Sequence, residues 1–390
     1  MAELRQNTWI LDEWYDQDVA GNVTYKGATS CWVVGNNAAG MLGQNVAASN
    51  HKSSPVQVPG SNYGGPSSIV NIKLSAGVGE TFRQWLKSDG TFWGAGGGAG
   101  KLGQNNNTAY SSPRQLGTGS DWRSLDSSWA NTVASKTDGT LWAWGENSYG
   151  TLGQNNETVY SSPRQIPGST WGEWVATSSN SNATFCIKTD GTLWGWGRNA
   201  FGGIAQNSTS SSAYSSPVQI PGDWGSPVDM ESKSIIKSDG TLWCWGWDGY
   251  GVLGQNTPAT SRSSPIQIAG AWSKITRNIG IQLAIRTDGT LWSWGRNDNG
   301  ALGLNDVAHR SSPTQVPGTW ASVETDLFTV AATKTDGTLW TWGDNEGTGG
   351  GQLGQNNRTD YSSPMQVGTD TDYKHVGAVS STGFTVFRTV

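Results

Sequence analysis

The sequence predicts an all-β fold, a seven-bladed β-propeller with four-stranded blades, on three observations. The motif Trp-x-Trp-Gly returns at a spacing of about 50 residues, the period of one blade. Asp-Gly turns separate pairs of short apolar strands. The composition suits strands and turns rather than helices: the 390 residues include 54 Gly and 23 Trp, with Thr, Ser and Asn abundant.

Trp142, Trp194, Trp243, Trp292 and Trp340 open five clear copies of the motif. Two degraded copies precede them, Trp32/Val34/Gly35 and Trp93/Ala95/Gly96. Each unit repeats one grammar. An apolar strand ends in Lys/Arg-Thr/Ser-Asp-Gly, as in TFCIKTDG at 184–191. Asp-Gly signals a hairpin because Gly accepts the positive φ of the turn. The next strand carries two Trp, two residues apart and therefore on one face. Gly ends that strand. A polar loop leads to Gly-x-Leu-Gly-Gln-Asn and then to Ser-Ser-Pro-x-Gln-Ile/Val, where Pro suits a strand's first residue. A last apolar segment around a Trp, such as Trp272–Ile275, makes the fourth strand. One blade cannot bury its Trp face alone. Full burial of a large apolar side chain contributes about 1.5–3 kcal/mol, so the blades are expected to be stable only against one another. Ala95 replaces a Trp, so that seam is expected to be looser or filled by a neighbour.

The chain ends supply the two halves of one hairpin. Phe384–Val390 matches the strand before Asp-Gly, with Arg388 in the place of Lys188. Thr29–Gly35 matches the strand after it. The two are expected to pair and close the ring, and loss of Phe384–Val390 to collapse it. The organisation read here is an arm at residues 1–25 and a propeller at 26–390.

Several function classes are disfavoured. The formal charge is −5 and no Lys/Arg run appears, which argues against nucleic acid. No apolar stretch approaches 18 residues, so membrane insertion is not expected. The acidic start lacks the apolar core of a signal peptide. Cys31, Cys186 and Cys244 lie far apart in strand-like segments and read as small buried side chains. His51, His309 and His375 are scattered without HxxH spacing, so no metal is expected. Asp138, Asp190, Asp239, Asp288 and Asp336 are turn residues rather than catalytic acids. There is no Gly-x-Ser-x-Gly elbow, and GAGGGAG at 94–100 opens no helix. No catalytic residue and no cofactor is expected.

The unit TDGTLWxWGxNxxGxLGxN…SSPxQI resembles the repeat of the RCC1-like family of seven-bladed β-propellers, over about residues 26–390. The resemblance implies the propeller but no single function, since members include a nucleotide exchange factor on chromatin, a plant ultraviolet receptor and a secreted β-lactamase inhibitor. The opening LRQNTWILDEWYDQDVAGNVTY is also similar to the starts of RCC1-like structural proteins of marine phages.

Three polar positions recur in every unit: Gln57 and its equivalents, the base at Lys87, Lys136, Lys188, Lys237, Arg286, Lys334 and Arg388, and Asn45 with its equivalents. Such rings read as frame residues, because each blade repeats the same turn and the same buried hydrogen bond. Recognition needs asymmetry, so it is expected in the loops that differ. Tyr149, Phe201 and Tyr250 occupy one equivalent loop position, near Arg198, Asp248, Arg296 and Asp298. Aromatics beside short polar groups are a recognition mixture. In the arm, Trp9, Ile10, Leu11, Trp14 and Tyr15 are too apolar for a free tail and read as a docking segment.

Together these readings lead to a non-enzymatic phage virion protein, such as a tail-fibre, baseplate or capsid-associated component. The arm would bind other virion proteins, and the loops a host surface protein or glycan. The alternative is an intracellular protein-interaction scaffold or a regulator of an enzyme or GTPase.

Overall fold

The computed structural model describes residues 29–35, 37–46, 51–59, 82–97, 100–127, 131–178, 182–257, 260–278, 280–326, 328–346, 351–380 and 383–389. The docking segment Trp9–Tyr15 lies outside them. The architecture is an all-β propeller. Helix among the described residues is limited to 3-10 turns at Ala38–Gly40, Ser148–Gly150 and Ala200–Gly202.

Antiparallel sheets follow one another along the chain. The Trp142 unit pairs Trp122–Ser127, Asn131–Lys136, Leu141–Gly145 and Tyr160–Ile166 in sequence order. The Trp194 unit does the same with Trp171–Ser178, Ala183–Lys188, Leu193–Arg198 and Ala213–Ile220. The Trp243 unit follows from Asp229 to Ile268. The Trp292 and Trp340 units share one seven-stranded sheet, because Arg310–Thr325 runs unbroken as the last strand of one and the first of the next. Thr29–Gly35 pairs antiparallel with Gly383–Thr389, placing Trp32 opposite Val386. Those strands share a four-stranded sheet with Lys52–Gln57 and Tyr373–Ser380.

The first strands of successive units touch one another, from Trp122–Ser127 round to Tyr373–Ser380, and form the inner wall. Side chains tie them together. Asp126 Oδ2 accepts the Thr177 N–H at 2.6 Å, Asp229 Oδ2 the Ile275 N–H at 2.8 Å, and Ser322 Oγ the Val376 N–H at 3.0 Å.

The seams explain much of the repeat. The second Trp of each clear motif is buried and donates its indole N–H to the preceding unit. Trp196 bonds the Thr151 carbonyl at 2.8 Å, and Trp294 the Val252 carbonyl at 2.8 Å. A Cβ on Gly150 would stand 2.4 Å from Ser215 Cα in the next unit; Gly40, Gly202 and Gly300 make the same approach to Ser111, Ser263 and Ser362. Asn155, at φ 56°, turns its N–H to the Ser215 carbonyl at 2.7 Å. Asn45, Asn105, Asn207, Asn256, Asn305 and Asn356 share that left-handed backbone, which Asn tolerates better than most residues. At Ala95 the seam is filled by a neighbour: Trp85, on the adjacent strand, is fully buried against Gly43.

The repeated base is held between aromatics. Lys188 lies 4.8 Å from the Trp171 ring and 4.4 Å from Trp194; Lys136 sits likewise between Trp122 and Trp142, and Arg286 between Trp272 and Trp292. Arg388 lies between Trp32 and Tyr373. Cation–π contact of this kind is a frame function. The turn acids are frame as well. Thr140 donates its hydroxyl to Asp138 Oδ1 at 2.6 Å and accepts the Trp142 indole N–H at 2.9 Å. That Thr hydroxyl, first, and the Thr backbone N–H hold the carboxyl below its ordinary range. The three cysteines are buried and free, and burial pushes the Cys31 and Cys244 thiols up to about 12.

Candidate binding face

Antiparallel order puts the Asp-Gly turns at one face of the ring and the loops after Trp-x-Trp-Gly at the other. Each such loop is folded by one buried side chain. Asn147 Oδ1 accepts the Leu152 N–H at 2.8 Å, and its Nδ2 donates to the carbonyls of Asn156 and Thr158. Asn199, Asn297 and Asn345 repeat this clasp. Asp248 holds the same position: it is buried and its Oδ1 accepts the Leu253 N–H at 2.8 Å. This corrects the reading of Asp248 as a surface recognition residue. Its oxygen is committed to the loop's own backbone, and burial raises its pKa above the ordinary value.

The other candidates stand at the surface. Tyr149 is 38% exposed and Phe201 55% exposed. Both occupy the left-handed region, at φ 64° and 57°. Arg198, from the following unit, lies 4.9 Å from the Tyr149 ring. Around Tyr250 the structure assembles a larger group. Arg296 lies 5.0 Å from the Tyr250 ring and 4.6 Å from Phe328, and its guanidinium pairs with Asp298. Trp247 and His309 meet Tyr250 edge-on at 5.6 and 5.0 Å. His309 Nδ1 accepts the Asn297 N–H at 3.0 Å, which turns Nε2 toward Asp298 Oδ1 at 3.5 Å. Thus Tyr250, Arg296 and Asp298 form one cluster, and Tyr149 and Arg198 another. Sequence reasoning missed Trp247, His309 and Phe328 as members: Trp247 shares the loop of Tyr250, whereas His309 and Phe328 come from separate loops.

One buried cation lies on the same face. Lys233 is 7% exposed, beside Arg277, whose Nη1 donates to the Lys233 carbonyl at 2.9 Å. Burial, reinforced by the Arg277 charge, lowers its pKa to about 7. Among the described residues no group of His, Cys, Asp or Glu is arranged to hold a metal ion.

A family model for the regulator of chromosome condensation (RCC1) repeat matches residues 138–187, 239–277, 288–323 and 336–387, and a second RCC1-repeat model matches 122–151. Among solved structures, the chain is similar to Prp20p from Saccharomyces cerevisiae, described with its binding to Gsp1p and histones. The identity is 16% and the TM-score 0.74, over 94% of this chain and 92% of that one. Human WBSCR16 gives 18% identity and a TM-score of 0.72, over 93% and 98%. A structure of Kap60 bound to yeast RCC1 (Prp20) gives 14% and 0.76, over 100% and 96%. Comparison with curated protein sequences gave no match. RCC1 repeats thus match residues 122–187, 239–277, 288–323 and 336–387, on an all-β propeller architecture shared with these structures.

Proposed function

We propose that this chain is a non-enzymatic protein-interaction scaffold. The described sheets would belong to a seven-bladed ring closed by the strands of its two ends, and a protein partner would dock on the loop face. The observation that carries the reading is the pair of exposed aromatics at positive φ. A side chain in the left-handed region costs about 1–2 kcal/mol. The turn itself imposes this backbone, which Ala39 shares at φ 54°, but Tyr149 and Phe201 place a large aromatic there that faces solvent. Aromatics backed by arginine are the residue types that anchor protein interfaces. The RCC1 relatives support a protein partner: Prp20p is described with Gsp1p and histones, and yeast RCC1 with Kap60.

The test is affinity capture with the wild-type chain and with Tyr149→Gly/Phe201→Gly. The double variant is expected to melt higher and to lose the partner. A partner retained at full yield by the double variant would overturn the assignment of this face. Placement on a phage particle is a separate proposal resting on the arm at residues 1–25, and mass spectrometry of purified particles decides it.

A further inference from the structure

The seam between the Trp292 and Trp340 units holds an open cavity of about 360 Å³. That is the size range of small-ligand sites. Leu304, Gln315 and Pro317 line it from one unit, and Lys334, Trp340 and Pro364 from the next.

A break in the frame accompanies this cavity. In six units this position is Gln, after Leu-Gly in five and after Ile204-Ala205 in the sixth, and its amide spans the groove to the backbone of the last strand. Gln44 Nε2 bonds the Gln57 carbonyl at 2.7 Å, Gln104 that of Gln115 at 3.0 Å, and Gln154 that of Gln165 at 3.0 Å. Gln206, Gln255 and Gln355 reach Gln219, Gln267 and Gln366 in the same way, at 2.9–3.1 Å. In the Trp292 unit this residue is Leu304. Leucine has no N–H to give, so the Gln315 carbonyl loses that donor, and the amide that crosses the groove elsewhere is missing here.

The lining then has a definite chemistry. Leu304 and the two prolines make apolar walls, and the Trp340 ring lies under the Lys334 amine, 3.5 Å from its centroid. The Gln315 carbonyl, the amides of Gln315 and Asn305 and the Ser363 hydroxyl offer neutral donors and acceptors, and Lys334 adds one amine. Among the described residues no carboxylate lines the cavity. A ligand that suits it has an apolar face and a rim of hydroxyls. We propose that this seam binds a pyranoside ring of a carbohydrate. The C–H face of the sugar lies along the leucine and proline walls, and its hydroxyls take the Lys334 amine and the carbonyl that the missing glutamine leaves open. The site is distinct from the loop face and goes beyond the protein-binding reading.

Leu304→Gln tests it directly, since six units of this same ring already fold with Gln there. Saturation-transfer NMR and calorimetric titration would use methyl α-mannopyranoside, methyl β-galactopyranoside and N-acetylglucosamine, each as a monosaccharide and as a trisaccharide. The wild-type chain is expected to bind at least one, and Leu304→Gln to weaken it tenfold or more with no loss of melting temperature. Affinity that rises with chain length identifies a polysaccharide as the source, and equal affinity a free sugar; either supports the site. No binding by any of these sugars, or equal binding by Leu304→Gln, would overturn it. So would transfer to a proline-rich peptide with none to the sugars.

Discussion

Replacing Lys233 by Met removes a charge that the fold desolvates, and the consequence is readable as a pH dependence. Lys233 stands opposite Trp245 in its hairpin, where other units carry Thr132, Thr184 or Val330. Its amine is packed between two glycines: a Cβ on Gly203 would stand 3.3 Å from Nζ, and one on Gly246 2.9 Å from Cδ. Burial and Arg277 lower its pKa from 10.5 to about 7. The folded state therefore releases the proton near pH 7, whereas the unfolded chain keeps it to about pH 10.5. Between these values the unfolded state binds more protons, so stability rises with pH. Below pH 7 the penalty is fully present. From pH 7 to pH 9 the gain is two units at about 1.4 kcal/mol each, or about 3 kcal/mol. At about 2.1 cal/mol/K per residue, unfolding 390 residues changes the entropy by about 0.8 kcal/mol/K, so the melting temperature should rise about 4 °C. Calorimetry of both proteins at pH 6, 7, 8 and 9 isolates this residue, because every other group is common to them. Lys233→Met should melt higher at pH 6 and lack the rise. Parallel curves within about 1 °C would refute the assignment of a desolvated amine.

Two further outcomes follow from the frame. Gly150→Ala should destabilise the ring by about 2–4 kcal/mol, because its Cβ meets Ser215 backbone at 2.4 Å and its φ is 71°; a denaturant midpoint equal to wild type would contradict the close seam. Asp248→Asn should stabilise by about 1 kcal/mol in chemical denaturation, since an amide keeps the bond to the Leu253 N–H and removes a buried carboxylate whose pKa is raised. That gain should shrink as pH falls, because the wild-type carboxyl then protonates; a loss of stability at pH 7 would contradict the clasp role.

Much of the frame was legible because it is local. The Asp-Gly turn, the shared face of two Trp and the strand-initiating Pro each follow from a few adjacent residues. The aromatic clamp was half legible: Lys188 and Trp194 belong to one hairpin, but Trp171 reaches them from the inner strand. Asp248 was misread because exposure was inferred from the variability of its loop. Alignment with Asn147 and Asn297 shows that it fills the clasp position, where burial is required. The cluster at Tyr250 was legible only in part, since Phe328 and His309 arrive from separate turns. Leu304 was visible as a departure from Leu-Gly-Gln-Asn. Its consequence was not, because the Gln it replaces acts across a groove rather than along a strand.

Departures from the frame occur in several units: Tyr149 in the Trp142 unit is an exposed aromatic at positive φ, and Arg83 in the Trp93 unit is a fully buried cation whose pKa burial lowers to about 9, yet one arc gathers the most. Phe201 carries an exposed aromatic at positive φ, Lys233 a desolvated amine, Asp248 a buried carboxylate without the amide donor of its equivalents, and Leu304 a lost hydrogen bond. Each opposes folding, and for Lys233, Asp248 and Leu304 the residue found at that position in most other units would relieve it. All four fall in the consecutive units of Trp194, Trp243 and Trp292, the arc that also holds Trp247, Tyr250, Arg296, Asp298 and His309. In the Trp142 unit, by contrast, clasp, seam glutamine and hairpin threonine are all retained. A ring of near-identical blades presents the same surface repeatedly and cannot orient an asymmetric partner. Orientation has to come from blades that break the repeat, and local strain is retained where something outside the fold compensates it. The arc from Phe201 to His309 meets both conditions, which is the physical reason to look for the partner there.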